Sequence, residues 1–211
     1  DLLEENAQLA ADFAPDGDGF RDRKKPWTNT QLYVRREDRN LAGPTLRAVG
    51  AGGKITGGRA DLIIADDIED EASTLTAGVR KKRRAWWFGN VQELLEPWGQ
   101  LVVIGTRKHN DDVYAHMMRD PTYVVHHDRA ISVWPPDDDR EWIRDDESGE
   151  LIDCRVKSSQ VQVLWPEKWP IGRLLVKRQS MRSTLFNREN QNEVVDDEAA
   201  RIKLQWLEDA R

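Results

Sequence analysis

The sequence predicts an α/β protein built on a mostly parallel sheet, and three observations carry that prediction. Leu62-Ile63-Ile64-Ala65 and Leu101-Val102-Val103-Ile104 are short, continuous apolar runs, the pattern of strands covered on both faces. The stretch between them is long enough for the crossover helix that parallel neighbours require. A third run, Thr122-Tyr123-Val124-Val125, follows a shorter helical stretch, so strands and helices alternate as in βαβ units.

Each element has a local reason. Residues 1–14 read as a helix, stopped by Pro15-Asp16-Gly17-Asp18-Gly19. Residues 31–34 and 45–49 read as short strands, followed by a flexible glycine-rich loop over 50–59. The strand at 62–65 runs into Asp66-Asp67. Ser73 and Thr74 suit the N-cap of a long helix over about 75–95, which Pro97-Trp98-Gly99 stops. A helix near 111–119 takes Asn110 or Asp111 as its cap. Residues 135–150 form an acidic, turn-rich insertion, alternation resumes at 161–164, and helices are expected at 170–184 and 197–210. No internal repeat is visible.

Composition narrows the function classes. The chain has 211 residues, 38% hydrophobic and 33% charged, with a formal net charge of −6. That balance argues against a uniformly basic nucleic-acid binder. A single cysteine, Cys154, allows neither an internal disulfide nor a cysteine-based zinc site, and points to a reducing, intracellular setting. No apolar run approaches the roughly 18 residues needed to cross a membrane. Nine tryptophans are many, and core packing is their simplest use. The chain opens without Met, inside the amphipathic pattern Leu2-Leu3…Ala7…Leu9-Ala10, and reads as part of a longer protein.

The chemistry-bearing residues cluster at strand ends. Parallel sheets bind ligands outside the carboxyl ends of their strands, where Asp66 and Asp67 stand. A hard cation such as Mg²⁺ takes one or two carboxylates together with phosphate oxygens, and a neighbouring carboxylate can orient a water for attack on phosphate. Glu69, Asp70 and Glu71 add acids within reach. The competing reading is a strand running into an acidic surface turn. The second strand ends in Gly105-Thr106, where glycine permits close backbone approach and the threonine hydroxyl can sense a phosphate or cap a turn. Arg59 either reaches phosphates as an arginine finger or pairs with Asp61 or Asp66; Arg47 and Lys54 are weaker candidates. His109, Asp111, Asp112 and His116 superficially resemble metal ligands, although a helix cap explains the acids more simply. Arg80-Lys81-Lys82-Arg83-Arg84 is either a solvated helix face or a contact for a DNA backbone.

Together these motifs resemble a known family. The run 55–67, ending in Asp66-Asp67, resembles the Walker B region of tailed-phage and prophage terminase large subunits. Arg80, Trp86-Trp87-Phe88 and Leu94-Leu95 resemble the helix that follows it. Residues 99–112 resemble the coupling motif with its continuation Thr106-Arg107-Lys108-His109-Asn110-Asp111-Asp112, and 164–169 and 186–192 resemble segments ahead of the nuclease domain. The resemblance covers residues 43 to 207. It implies a RecA-like P-loop (ASCE) ATPase core, incomplete here, over 1–127, a small linker subdomain over 128–195, and at 196–211 a lead-in to an absent nuclease domain. It also implies ATP and Mg²⁺ as cofactors, with Asp66 on the metal, Asp67 or Glu69 as the base, Gly105 and Thr106 at the nucleotide, and Arg59 as a finger. The implied partners are double-stranded DNA, a terminase small subunit, a portal protein and further copies in a ring, in the host cytoplasm at the procapsid. No Gly-x-x-x-x-Gly-Lys-Ser/Thr loop is present, so the phosphate-cradling half of the site is expected upstream and this chain alone is expected to be inactive. Another P-loop translocase or helicase, a non-catalytic remnant of the fold, and a metal-dependent nuclease using Asp61, Asp66 and Asp67 are the rival readings.

Overall fold

The computed structural model describes residues 5–13, 21–36, 43–55 and 57–194. The expected helix at 197–210, Trp206 and the lead-in at 196–211 lie outside them. The described elements are α1 (Ala7–Phe13), β1 (Gln31–Leu32), β2 (Leu46–Arg47), β3 (Ala60–Asp66), α2 (Glu71–Thr74), α3 (Ala77–Trp86), β4 (Leu95–Ile104), α4 (Val113–Arg119), β5 (Ile131–Val133), β6 (Arg140–Arg144), β7 (Leu151–Val156), β8 (Gln162–Val163), α5 (Ile171–Ser180) and α6 (Ser183–Gln191). Among the described residues the fold is α/β with four two-stranded sheets. Pairs β1–β2, β5–β8 and β6–β7 are antiparallel, and β3–β4 is the parallel pair. The chain divides into two compact units, Asp1–Ile64 with Trp86–Val102, and Ala65–Ala85 with Val103–Arg211.

In the first unit, residue 21 bridges to Val34 and β1 pairs with β2. The predicted long helix over 75–95 is not continuous. α3 ends at Trp86, a π turn spans Trp87–Val91, and a 3₁₀ turn spans Gln92–Leu94. Trp87 and Val91, at the two ends of the wider i→i+5 turn, are both buried. β4 then begins at Leu95 and runs through Pro97, the expected helix stop. A strand in a two-stranded sheet has a free edge, where the missing proline N–H costs no ladder bond.

The apolar strands were expected to be covered on both faces. Instead Leu62, Ile64, Val102 and Ile104 are exposed, because a two-stranded ribbon offers no second layer to bury alternate side chains.

In the second unit the core is Ile131, Leu174 and Phe186, with Trp134, Val163, Ile171 and Met181 packed against it. Buried Gln191 completes it. Its side chain accepts from Ile131 N (2.9 Å) and donates to Ile131 O (3.0 Å), acting as a strand partner to β5. The acidic insertion supplies β6 and the turn of an ordered hairpin, which β7 completes. Asp145 Oδ1 accepts from the amides of Glu147 (3.1 Å) and Ser148 (2.8 Å), and Gly149 takes a positive φ of 71°, a turn built from residues suited to it. The expected strand at 122–125 is not formed. Its apolar residues Val124 and Val125 are exposed, since no neighbouring strand pairs with them among the described residues. No helix among the described residues is long and apolar enough to cross a membrane.

Candidate active site

The second unit gathers the ends of β3 and β4 with the start of α4. Asp66 ends β3, and Asp67 follows it with φ 44°. That left-handed conformation is uncommon for a non-glycine residue, though aspartate tolerates it, and it concentrates at functional sites. The Asp67 amide donates to the carbonyl of Ile104 (3.0 Å), which pins it against the end of β4, next to Gly105-Thr106. Both carboxylates are exposed and neither forms an ion pair among the described residues. Thr106 is half-buried.

Tyr114 from α4 packs beneath this turn. A Cβ at Gly105 would lie 2.1 Å from the Tyr114 hydroxyl and 2.3 Å from its ring carbon, so glycine is required there by space rather than by dihedral angle. Burial pushes the Tyr114 phenol up to about 12, and Asp67 acts in the same direction. The amides of Ile68 and Glu69 approach its hydroxyl without completing a hydrogen bond of good geometry.

The neighbouring acids serve other purposes. The Glu69 side chain is fully buried. It accepts from Val113 N (2.9 Å) at the start of α4 and from the Ser73 hydroxyl, with Arg83 at 3.8 Å. Burial raises its carboxyl pKa against these three interactions. Ser73 and Thr74, expected to cap the long helix after them, lie inside α2, whose cap is Asp70. Its side chain accepts from Ser73 N (2.6 Å), while its own amide donates to the Ser73 hydroxyl (2.9 Å), a reciprocal capping box. Glu71 pairs with Arg188 of α6.

The segment after β4 is organised by two adjacent aspartates with different partners. Asp112, neither Asn110 nor Asp111, is the cap of α4, accepting from Ala115 N (2.7 Å). It also accepts from the amides of Lys108 (2.9 Å) and His109 (3.1 Å) and from Arg107 Nε (3.0 Å). Asp111 instead receives Arg84 (2.8 Å), His116 (2.9 Å) and Arg80 (3.3 Å). The basic cluster on α3 is therefore not simply a solvated face. Arg80 is buried, Arg80 and Arg84 reach Asp111, and Arg83 reaches Glu69. Lys81 and Lys82 remain exposed.

Burial pushes Asp111 up, but the hydrogen bonds from His116, Arg84 and Arg80 outweigh it and hold the carboxyl at about 2, below the ordinary 3.8. A depressed acid contributes stability that is complete above its unfolded pKa and is lost as pH falls through its folded one. Asp111→Asn is therefore expected to lower Tm near neutral pH. The gap to the wild type should close as pH falls from about 3.8 to about 2. A gap that stays constant in thermal melts across that window would show that these contacts do not depend on the carboxylate charge.

Among the described residues, no three His, Cys, Asp or Glu side chains gather as a metal site. His109 Nδ1 accepts from Asp111 N (2.9 Å), and His116 is held by Asp111, so the four superficial ligands are used in caps and ion pairs. A site holding Mg²⁺ through one or two carboxylates and phosphate oxygens needs no such cluster, and Asp66 and Asp67 fit it.

No family model matches the chain. Over 97 residues it is 33% identical to the terminase large subunit of Enterobacteria phage T3, a stretch covering 44% of this chain. The chain is similar to a terminase large subunit. It spans 15% of that relative's length. Of the site residues inferred from the terminase resemblance, Asp66, Asp67, Gly105 and Thr106 lie in the second unit. Arg59 lies in the first unit, 73% exposed in its side chain and 3.8 Å from Glu96. Neither expected partner of Arg59 receives it; Asp61 accepts instead from Trp98 Nε1 (3.0 Å). Sequence reasoning missed Tyr114. The signal available was a tyrosine in the first turn of the helix that follows Gly105-Thr106.

Proposed function

We propose that this chain carries the strand-end carboxylates of a RecA-like P-loop ATPase belonging to a phage DNA-packaging motor, a terminase large subunit. The supporting observation is the pair Asp66-Asp67 at the carboxyl end of a parallel strand, exposed, free of ion pairs among the described residues, and held beside Gly105-Thr106 through the Asp67–Ile104 hydrogen bond. In this reading Asp66 would hold Mg²⁺, which when bound would supply charge neutralisation at the nucleotide phosphates. Asp67 orients the attacking water, and its left-handed backbone turns the carboxylate out of the strand's alternation. Thr106 senses the nucleotide. Glu69, buried and already engaged by Val113, Ser73 and Arg83, is a structural tie rather than the base. The likeness to the terminase large subunit of phage T3 supports a part in phage DNA packaging; double-stranded DNA, a portal, a small subunit, sister copies and a nuclease domain are what the family resemblance implies and belong to this proposal.

ATP hydrolysis by the full-length gene product tests this reading. Asp67→Asn is expected to lower kcat by about 10²–10⁴-fold, the usual contribution of a positioned base, with nucleotide affinity retained. Asp66→Asn should raise the Mg²⁺ concentration needed for half activity. Unchanged kcat in Asp67→Asn would exclude it as the water-orienting group.

A further inference from the structure

The segment between β8 and α5 presents indoles and cations together. Trp165 and Trp169 are 55% and 38% exposed. The Trp169 amide donates to the Trp165 carbonyl (2.8 Å), closing one helical turn, the spacing that sets side chains on one side. Lys168 Nζ lies 4.6 Å from the Trp165 ring, Lys177 Nζ 4.8 Å from the Trp169 ring, and the Arg178 guanidinium 4.8 Å from the Trp134 ring. From 164 to 182 the cations are Lys168, Arg173, Lys177, Arg178 and Arg182, and the one acid is Glu167.

Among the described residues, Lys168, Arg173, Lys177 and Arg178 have no carboxylate partner, and Lys177 donates to the neutral Asn190 (2.9 Å). Arg80, Arg84, Arg107 and Lys108 all pair with acids. In a chain of formal net charge −6, unneutralised cations beside exposed indoles are a local exception to the charge balance. An ammonium over one face of an indole leaves the other face for a stacked base and can itself contact phosphate.

We propose that this surface binds single-stranded nucleic acid, with bases stacked on Trp165 and Trp169 and phosphates on Lys168 and Arg173. Stacking selects the single strand, because a duplex keeps its base faces paired off within its own stack. The surface makes no use of Asp66 or Asp67, so it stands or falls separately from the ATPase reading.

Fluorescence anisotropy of a labelled oligothymidylate with the purified chain tests the proposal. Trp165→Ala is expected to weaken binding about ten-fold, within the range for one stacked base, and Trp165→Phe to restore most of it. Lys168→Ala should reduce the slope of log K against log salt by about 0.7, one phosphate contact on a single strand. Lys24→Ala, an exposed lysine of the first unit, should change neither affinity nor slope by as much. Absence of binding at low salt, wild-type affinity in folded Trp165→Ala, or tighter binding to a duplex of equal length would each overturn the proposal. Circular dichroism of the variants separates loss of contact from loss of fold.

Discussion

Replacing Asp112 by alanine is expected to lower the unfolding free energy by about 3–5 kcal/mol, the cost of breaking a buried pair from one side. The Asp112 carboxylate is fully buried and meets the amides of Lys108, His109 and Ala115 together with Arg107 Nε. Removing it strands an arginine that is itself largely buried and three backbone donors, each of which costs about 1–3 kcal/mol when left unsatisfied in the interior. The loss is not a simple sum, because water will reach part of the vacated space. Total stability of such a domain is about 5–15 kcal/mol, so the variant should lose a large share of it. Asp112→Asn keeps the shape but puts an amide where donors converge, and it should recover only part of the loss. Urea titrations followed by circular dichroism measure both; a change below about 1 kcal/mol for Asp112→Ala would show that the network relaxes around the gap.

Gly172→Ala is the second substitution with a large expected effect. A Cβ at Gly172 would lie 2.1 Å from Asp153 Oδ1 and 2.5 Å from the carbonyl oxygen of Cys154. The aspartate can swing aside, whereas the Cys154 carbonyl belongs to the backbone of β7. Relief therefore requires α5 to move off β7, and α5 carries Leu174 and Leu175, both almost fully buried. Alanine gains up to about 1 kcal/mol in helix propensity, but overpacking of this kind costs about 1–3 kcal/mol or more. We expect net destabilisation of about 2 kcal/mol, read as a lower urea midpoint with an unchanged slope. A rise in the midpoint would mean that the helix end shifts freely and that propensity dominates.

The parts legible in the sequence were those set by near neighbours. The apolar runs at 62–65 and 101–104 became β3 and β4, and the helix expected near 111–119 became α4. Asp66-Asp67 and Gly105-Thr106 stand at strand ends because a short apolar run followed by polar or flexible residues is a local signal. The failures share a different cause. In Asn110-Asp111-Asp112 each residue type can cap a helix, and the choice of Asp112 depends on Arg107 and on two preceding amides that converge on it. The strand expected at 122–125 has the right residues but no partner among the described residues, and the acidic insertion enters a hairpin because β6 pairs with β7, with a register shift between Ile143 and Arg144.

What the sequence by itself determined is the α/β class, the strand-end carboxylates and the glycine after β4, since periodicity, turn chemistry and residue type act over a few positions. Tertiary structure alone decided which acids stay available. Glu69 is removed from contention by Val113, which follows it by 44 residues, and Asp111 by Arg84, which precedes it by 27. A carboxylate's role is set by burial and by the donors that reach it, and folding brings those donors from distant positions. Asp66 and Asp67 are left at the tip of β3 without such donors among the described residues, and that is the physical basis for the proposal that they carry the chemistry.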